Sequence, residues 1–301
     1  MTRAIVALPH SGPRTRSATG AVRAGVPRSA RRVRRRPGGF TLVEAVAAIA
    51  IAGIVFAVVA VFLQRPVQGY LDTTRRAGLS DIADVAVRRI VRDLRLALPN
   101  SVRVDASGRY VEFLLVSGGG RYRAQTDSTG AGNVLDFTSA SGDSSFDVTG
   151  TMPTVAAGNH VVIFNLGTGF TGADAYQASG NNRATVASAT ATTLTLTAAK
   201  VFPYESPGKR FQIVEHAVTY ECDPASGTLR RYWNYGINAS QSTPPSGGSS
   251  ALLATRVSDC GFTYDANDLL ARYGTVSIRL SITEDSESAH LHAEAHVANI
   301  P

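Results

Sequence analysis

Cysteine is nearly absent from this chain: 301 residues hold two, at positions 222 and 260. No second cysteine lies at ligand spacing from either one, which argues against a zinc site. The sequence has no G-x-S-x-G, no H-E-x-x-H and no P-loop, so the signatures of α/β-hydrolases, zinc peptidases and P-loop nucleotide hydrolases are missing. Two methionines and a single tryptophan complete the short supply; Met152 and Trp233 read as core or hairpin packing rather than cofactor contacts. Nothing points to catalysis, a metal or a cofactor. Acidic residues are absent from positions 1–39, which hold ten arginines. That segment is therefore +10, and because the whole chain is +7 the remainder is −3. A basic patch for nucleic acid would have to lie outside the segment; the −3 balance of the rest argues against nucleic acid as a partner.

What the chain does have begins at Gly39-Phe40. Residues 40–63, FTLVEAVAAIAIAGIVFAVVAVFL, form a 24-residue apolar run. As a helix it spans about 36 Å, more than the roughly 30 Å of a hydrocarbon core. Its one charge is Glu44. An ionised side chain costs on the order of 2.5–3.5 kcal/mol at the bilayer centre and less near an end, so Glu44 calls for a partner. A cut between Gly39 and Phe40 would create one: the new α-ammonium would sit one helical turn from Glu44, on the same subunit or a neighbour. An ordinary secretory signal has an apolar region of about 7–15 residues with its cleavage site behind it. This run is longer, and its glycine comes first. A plain signal anchor explains the length and the basic flank Arg31-Arg32-Val33-Arg34-Arg35-Arg36, which keeps the leader cytoplasmic and sends the C-terminal part across. It leaves both Glu44 and the Gly-Phe junction as accidents.

The stretch GGFTLVEAVAAIAIAGIV resembles the prepilin signature of type IV pilins and type II secretion pseudopilins. The resemblance implies that a membrane prepilin peptidase cuts after Gly39 and N-methylates Phe40, and that Glu44 serves subunit docking. It implies as partners that peptidase/methyltransferase, a major pilin, other minor pilins and an inner-membrane assembly platform. Further pieces are similar to the MshO-like minor pilins of mannose-sensitive haemagglutinin (MSHA) type pili, with J-type pseudopilins as near relatives. They are Arg65-Pro66-Val67 with Gly69-Tyr70, Arg88-Arg89, Arg95 through Ser101, Phe202-Pro203 with Ser206-Pro207-Gly208, the Cys222 hairpin, and Glu294 through Pro301. Leaders in that family are often shorter, so the expected start lies downstream of Met1, at a non-Met codon such as that for Val33. N-terminal sequencing of unprocessed precursor tests this.

After residue 63 the pattern turns amphipathic. Val67, Tyr70, Leu71, Ile82, Val85, Ala86, Ile90, Leu94 and Ala97 recur at helical steps between arginines. Pro99 sets the expected helix end at Leu98, while Pro66, Gly69 and Gly78 are weak points. Strand-like runs follow at 110–115, 134–137, 160–165, 192–196, 210–214, 218–222, 228–233, 256–264 and 276–283. The clearest hairpin turns at Asp223-Pro224-Ala225-Ser226-Gly227. Gly/Ser/Thr-rich stretches at 117–133, 167–191 and 237–250 read as surface loops. The expected organisation is a basic leader 1–39 that is removed, a transmembrane and assembly helix 40–63, its amphipathic continuation 64–98, and an exported β-rich domain 99–301. The fold class is α+β, a long N-terminal helix packed on an antiparallel sheet, the plan of the pilins.

Cys222 and Cys260 both fall in the exported part, where disulfides persist, and are expected to pair; two buried free thiols are the alternative. Gly167-Thr168-Gly169-Phe170-Thr171-Gly172 matches G-x-G-x-x-G, yet no apolar helical period follows and no acidic residue stands about 20 positions on. His290, His292, Glu294 and His296 alternate, so on a strand they share one face. They read as a solvated edge or an interface strand rather than a metal site. A permanently anchored periplasmic binding protein is the competing functional reading.

Overall fold

The computed structural model describes residues 38–266 and 273–301. The leader expectation lies outside the described residues, apart from its two closing glycines. Among the described residues one helix, α1 (Leu42–Leu94), is followed by twelve strands. The chain divides into two compact units, Met1–Ala60 and Val61–Pro301.

In the first unit α1 is apolar on every side, and none of its membrane-length apolar stretch is buried. A helix hydrophobic all round needs a membrane or other helices to cover it. In the second unit α1 is amphipathic. Leu79, Ala83, Ala86, Val87, Ile90 and Leu94 are buried at steps of three and four, while Asp81, Val85, Arg88 and Arg92 stay exposed. Pro66 and Gly69 do not interrupt the helix; just beyond them Thr73 and Thr74 donate their hydroxyls to the carbonyls of Gly69 and Tyr70.

The helix ends at Leu94, four residues before the expected Leu98. Leu96 and Ala97 donate N–H to the carbonyls of Asp93 and Leu94 in tightened turns, and Leu98 donates to Leu114. Pairing with a strand captures the segment before Pro99 can stop it.

The remaining strands are β1 (Arg103–Val104), β2 (Tyr110–Tyr122), β3 (Asp143–Thr149), β4 (His160–Val162), β5 (Arg183–Ala189), β6 (Thr193–Lys200), β7 (Arg210–Asp223), β8 (Thr228–Trp233), β9 (Ser249–Thr255), β10 (Val257–Asp265), β11 (Tyr273–Glu284) and β12 (Glu287–Ala298). Nine of them, β1 to β9, form one sheet, and β10, β11 and β12 form a second, antiparallel one. Phe113, Val218, Tyr220 and Leu229 from the first sheet and Phe262, Ile278, Leu280 and Val297 from the second share one core with the buried face of α1. The fold is thus the expected α+β, pilin-like one: a long N-terminal helix on antiparallel sheet. At the helix end the buried Asp93 accepts from Tyr220 Oη at 2.8 Å and Arg231 Nε at 2.9 Å, tying α1 to β7 and β8.

Cys222 on β7 is joined to Cys260 on β10, with Cα atoms 5.9 Å apart, so the bridge fastens the two sheets together. The two positions are 38 residues apart, and a loop of that length implies about 4 kcal/mol of lost unfolded-state freedom on the chain-entropy description. Reducing the bond lowers the unfolding free energy by about that amount. Denaturant titration of oxidised and reduced protein, followed by the fluorescence of the single Trp233, checks it.

Residues 117–209 depart furthest from the sequence reading. β2 and β7 are far longer than the runs at 110–115, 210–214 and 218–222. Their ends nearer Tyr110 and Asp223 back the helix. Their other ends join β3, β6, β5 and β4, and because β2 also pairs with β7 these six strands close into a ring. Phe146, Val161, Ile163, Val186, Leu194, Phe211 and Ile213 fill it. The glycines at 118–120 are strand residues rather than loop: a Cβ on Gly119 would meet the Phe211 carbonyl at 2.9 Å and one on Gly120 the Phe211 ring at 2.8 Å. Of the other expected loops, 167–191 contains β5 and buries Ala173 to Tyr176, and 237–250 runs into β9. The run 134–137 is not a strand, although Leu135 is buried.

His160 in this ring is half-buried and hydrogen-bonded to Thr185. Burial, helped by Arg183, pushes its pKa down from the ordinary 6.5 to about 4. Between those values the unfolded chain binds a proton that the folded chain refuses, so stability falls as pH drops from 6.5 towards 4. His160→Gln should flatten this part of the pH–stability curve, as measured by thermal unfolding at pH 7 and pH 4.5.

Candidate processing and assembly site

The junction is built from an unstructured stretch and a helix start. Gly38, Gly39 and Phe40 have no regular structure, and Phe40 is 77% exposed. A Cβ on Gly38 or Gly39 would meet nothing within 4 Å, and neither backbone lies in the left-handed region. Among the described residues no feature of the fold demands glycine at either position.

Thr41 begins the helix. Its Oγ1 accepts the N–H of Glu44 at 3.2 Å and its carbonyl accepts that of Ala45 at 3.1 Å. This is half of a capping box, S/T-x-x-E, with Thr41 as cap and Glu44 three residues on. The cap leaves the 39–40 peptide bond just outside the helix. Sequence reasoning did not single out Thr41, although the Thr-x-x-Glu spacing before an apolar run was there to be read. Glu44 lies in the first turn, where the helix dipole favours a carboxylate. Its side chain is exposed and has no hydrogen bond or ion pair among the described residues. Around it Leu42, Val43, Val46 and Ile49 are 61–84% exposed. The arrangement offers one unpaired carboxylate on an otherwise apolar cylinder.

The other candidate sites have structural explanations. Gly167, Gly169 and Gly172 all have positive φ; a Cβ would strike the Asn100 carbonyl from Gly167 and Pro203 from Gly172. The Gly169 N–H goes to Asp174 Oδ2, where a phosphate cradle would leave it free, and no helix follows. His290, His292, Glu294 and His296 do share the exposed face of β12, His292 opposite Arg279 on β11. Among the described residues no group of three or more His, Cys, Asp or Glu side chains is placed to hold a metal.

No curated protein and no solved structure matches the chain. Residues 34–60 match the prokaryotic N-terminal methylation motif, which contains Gly39, Phe40, Thr41 and Glu44. The chain therefore carries, at the head of its apolar helix, the prepilin signal of type IV pilin-like proteins, which indicates a structural subunit rather than an enzyme.

Proposed function

We propose that the chain is a minor pilin-like structural subunit of an MSHA-type type IV pilus, cleaved after Gly39, methylated at Phe40 and assembled through the apolar half of α1. The observation that carries this reading is the methylation motif lying on the half of α1 whose apolar side chains, up to Leu63, are all uncovered. Such a helix inserts in the inner membrane before assembly, with the β domain in the periplasm, and exchanges lipid for neighbouring helices in a filament. Glu44 then pairs with a Phe40 ammonium, which favours the axial register that leaves no carboxylate alone. The closed ring at 117–209 is bulk a repeating wall subunit does not need, which suits a place at initiation or at the tip. The pieces at 95–101, 202–208 and 294–301 supply the resemblance to the MSHA group.

Sheared surface filaments test the reading. Quantitative mass spectrometry should find the chain in them, in far fewer copies than the main subunit. A chain missing from surface filaments in cells that make them rejects the pilus role; if type II secretion then fails on its deletion, the subunit belongs to a secretion pseudopilus.

A further inference from the structure

Among the described residues four strands end a sheet, β1 and β9 in the first and β10 and β12 in the second, and two of them, β9 and β12, flank α1. β9 ends the nine-stranded sheet and β12 ends the three-stranded one, each paired on one side only. Exposed edges are normally guarded by lysine, proline or a bulge. Neither strand contains lysine or proline. β9 (SSALLAT) is uncharged but is bulged at Leu253 against β8, whereas β12, with Glu287 and Glu294 as its only carboxylates, pairs with β11 over twelve residues without a register shift and is the flatter edge.

Both edges flank the same bare strip of α1. A groove of about 770 Å³ lies between the helix and β12, and one of about 450 Å³ between the helix and β9; Arg88 and Arg92 line both. The strip is apolar at Val85 and Leu96, 61% and 51% exposed, and Leu252 of β9 is 48% exposed beside it. Its charge is lopsided. Arg88 pairs with Asp84, but Arg92 and Arg95 have no ion-pair partner among the described residues. Glu294 is the one other carboxylate lining the β12 groove.

We infer that this strip is the seat of an extended acidic strand supplied by another filament subunit. It would add to the β12 edge and place carboxylates against Arg92 and Arg95. A free edge is satisfied by backbone N–H and C=O groups in register, which only a polypeptide supplies, and planar guanidiniums take carboxylates bidentately. The partner's being a filament subunit rests on the proposed function; the strand, its charge and its seat do not.

The test uses the full chain in cells that assemble it, with a photoreactive residue at Leu96, at Leu252, or at the exposed Ser179 as control. Irradiation should give adducts from Leu96 and Leu252 but not from Ser179. Their mapped peptides should be extended segments with at least two carboxylates from another filament subunit. Arg92→Glu with Arg95→Glu should cut the yield at least roughly tenfold, and the corresponding lysine pair should retain most of it. Intact mass of the same samples reports loss of the leader, and disulfide formation reports folding, so a failed groove contact is distinguished from a failed subunit reading. Absent adducts, adducts that survive the charge reversal, or adducts to lipid, nucleic acid or a helical segment would overturn the inference.

Discussion

Replacing Gly39 with valine should leave the chain folded and its leader uncut. The expected product is the uncut precursor in the membrane, still carrying the arginine cluster before position 39, with no N-methyl-Phe40 terminus. The argument joins an absence and a presence. A Cβ at position 39 would find nothing within 4 Å and the backbone there is not left-handed, so the substitution costs the fold nothing. On the proposed function, what glycine offers at that position is close access for the peptidase to the 39–40 peptide bond. The methylation motif names the class of enzyme that does so. Intact mass measures the outcome, and an unchanged thermal unfolding curve shows that the loss is one of recognition. Normal trimming of the valine variant would remove Gly39 from the account.

Glu44→Leu should do the opposite: leave the cut intact and abolish assembly. The carboxylate is exposed and bonded to no side chain among the described residues; only the main-chain N–H of Glu44 is held, donating to Thr41 Oγ1. Leucine there removes no internal contact and lowers the cost of membrane insertion, since the carboxylate alone costs on the order of 2.5–3.5 kcal/mol at bilayer depth. What it removes is the one group that can pair with an α-ammonium in apolar surroundings, where breaking a pair is worth roughly 3–5 kcal/mol. A difference of that size corresponds to about a hundredfold or more in occupancy. Processed, membrane-resident protein that is missing from the filament fraction is the expected result. A simple anchor predicts full function from the same variant.

The legible parts of this chain were those whose physics is local. A 24-residue apolar run declares its environment by composition, and its single carboxylate marks where it must be compensated. The amphipathic continuation is legible in its second half, where Ala86, Ile90, Leu94 and Ala97 of the expected stripe are buried; Val67, Tyr70, Leu71 and Val85 of the same stripe are exposed, and the buried Leu79 and Ala83 stand outside it. The hairpin at Asp223 was readable from turn chemistry, and β8 falls on the expected 228–233. Two non-local effects were not. Leu98 was assigned to the helix because Pro99 is a stop signal, but pairing of the preceding turn with β2 ends α1 at Leu94. The glycines at 118–120 looked like a loop because a strand interior disfavours glycine, and only the approach of Phe211, more than 90 residues away in sequence, shows why no side chain fits. The ring of β2, β3, β6, β5, β4 and β7 has the same origin: β3, β4, β5 and β6 are short and separated by loops, and they close between the long β2 and β7 through contacts no window of sequence contains. At the junction, the Thr41 cap is legible in the Thr-x-x-Glu spacing that precedes the apolar run.

The most direct measurement is the intact mass and N-terminal peptide of the protein taken from membranes of cells with an active prepilin peptidase. A chain beginning at N-methyl-Phe40 is the predicted result. A chain that retains Gly39 and the arginine cluster before it would contradict the account and leave an anchored β-domain protein in its place.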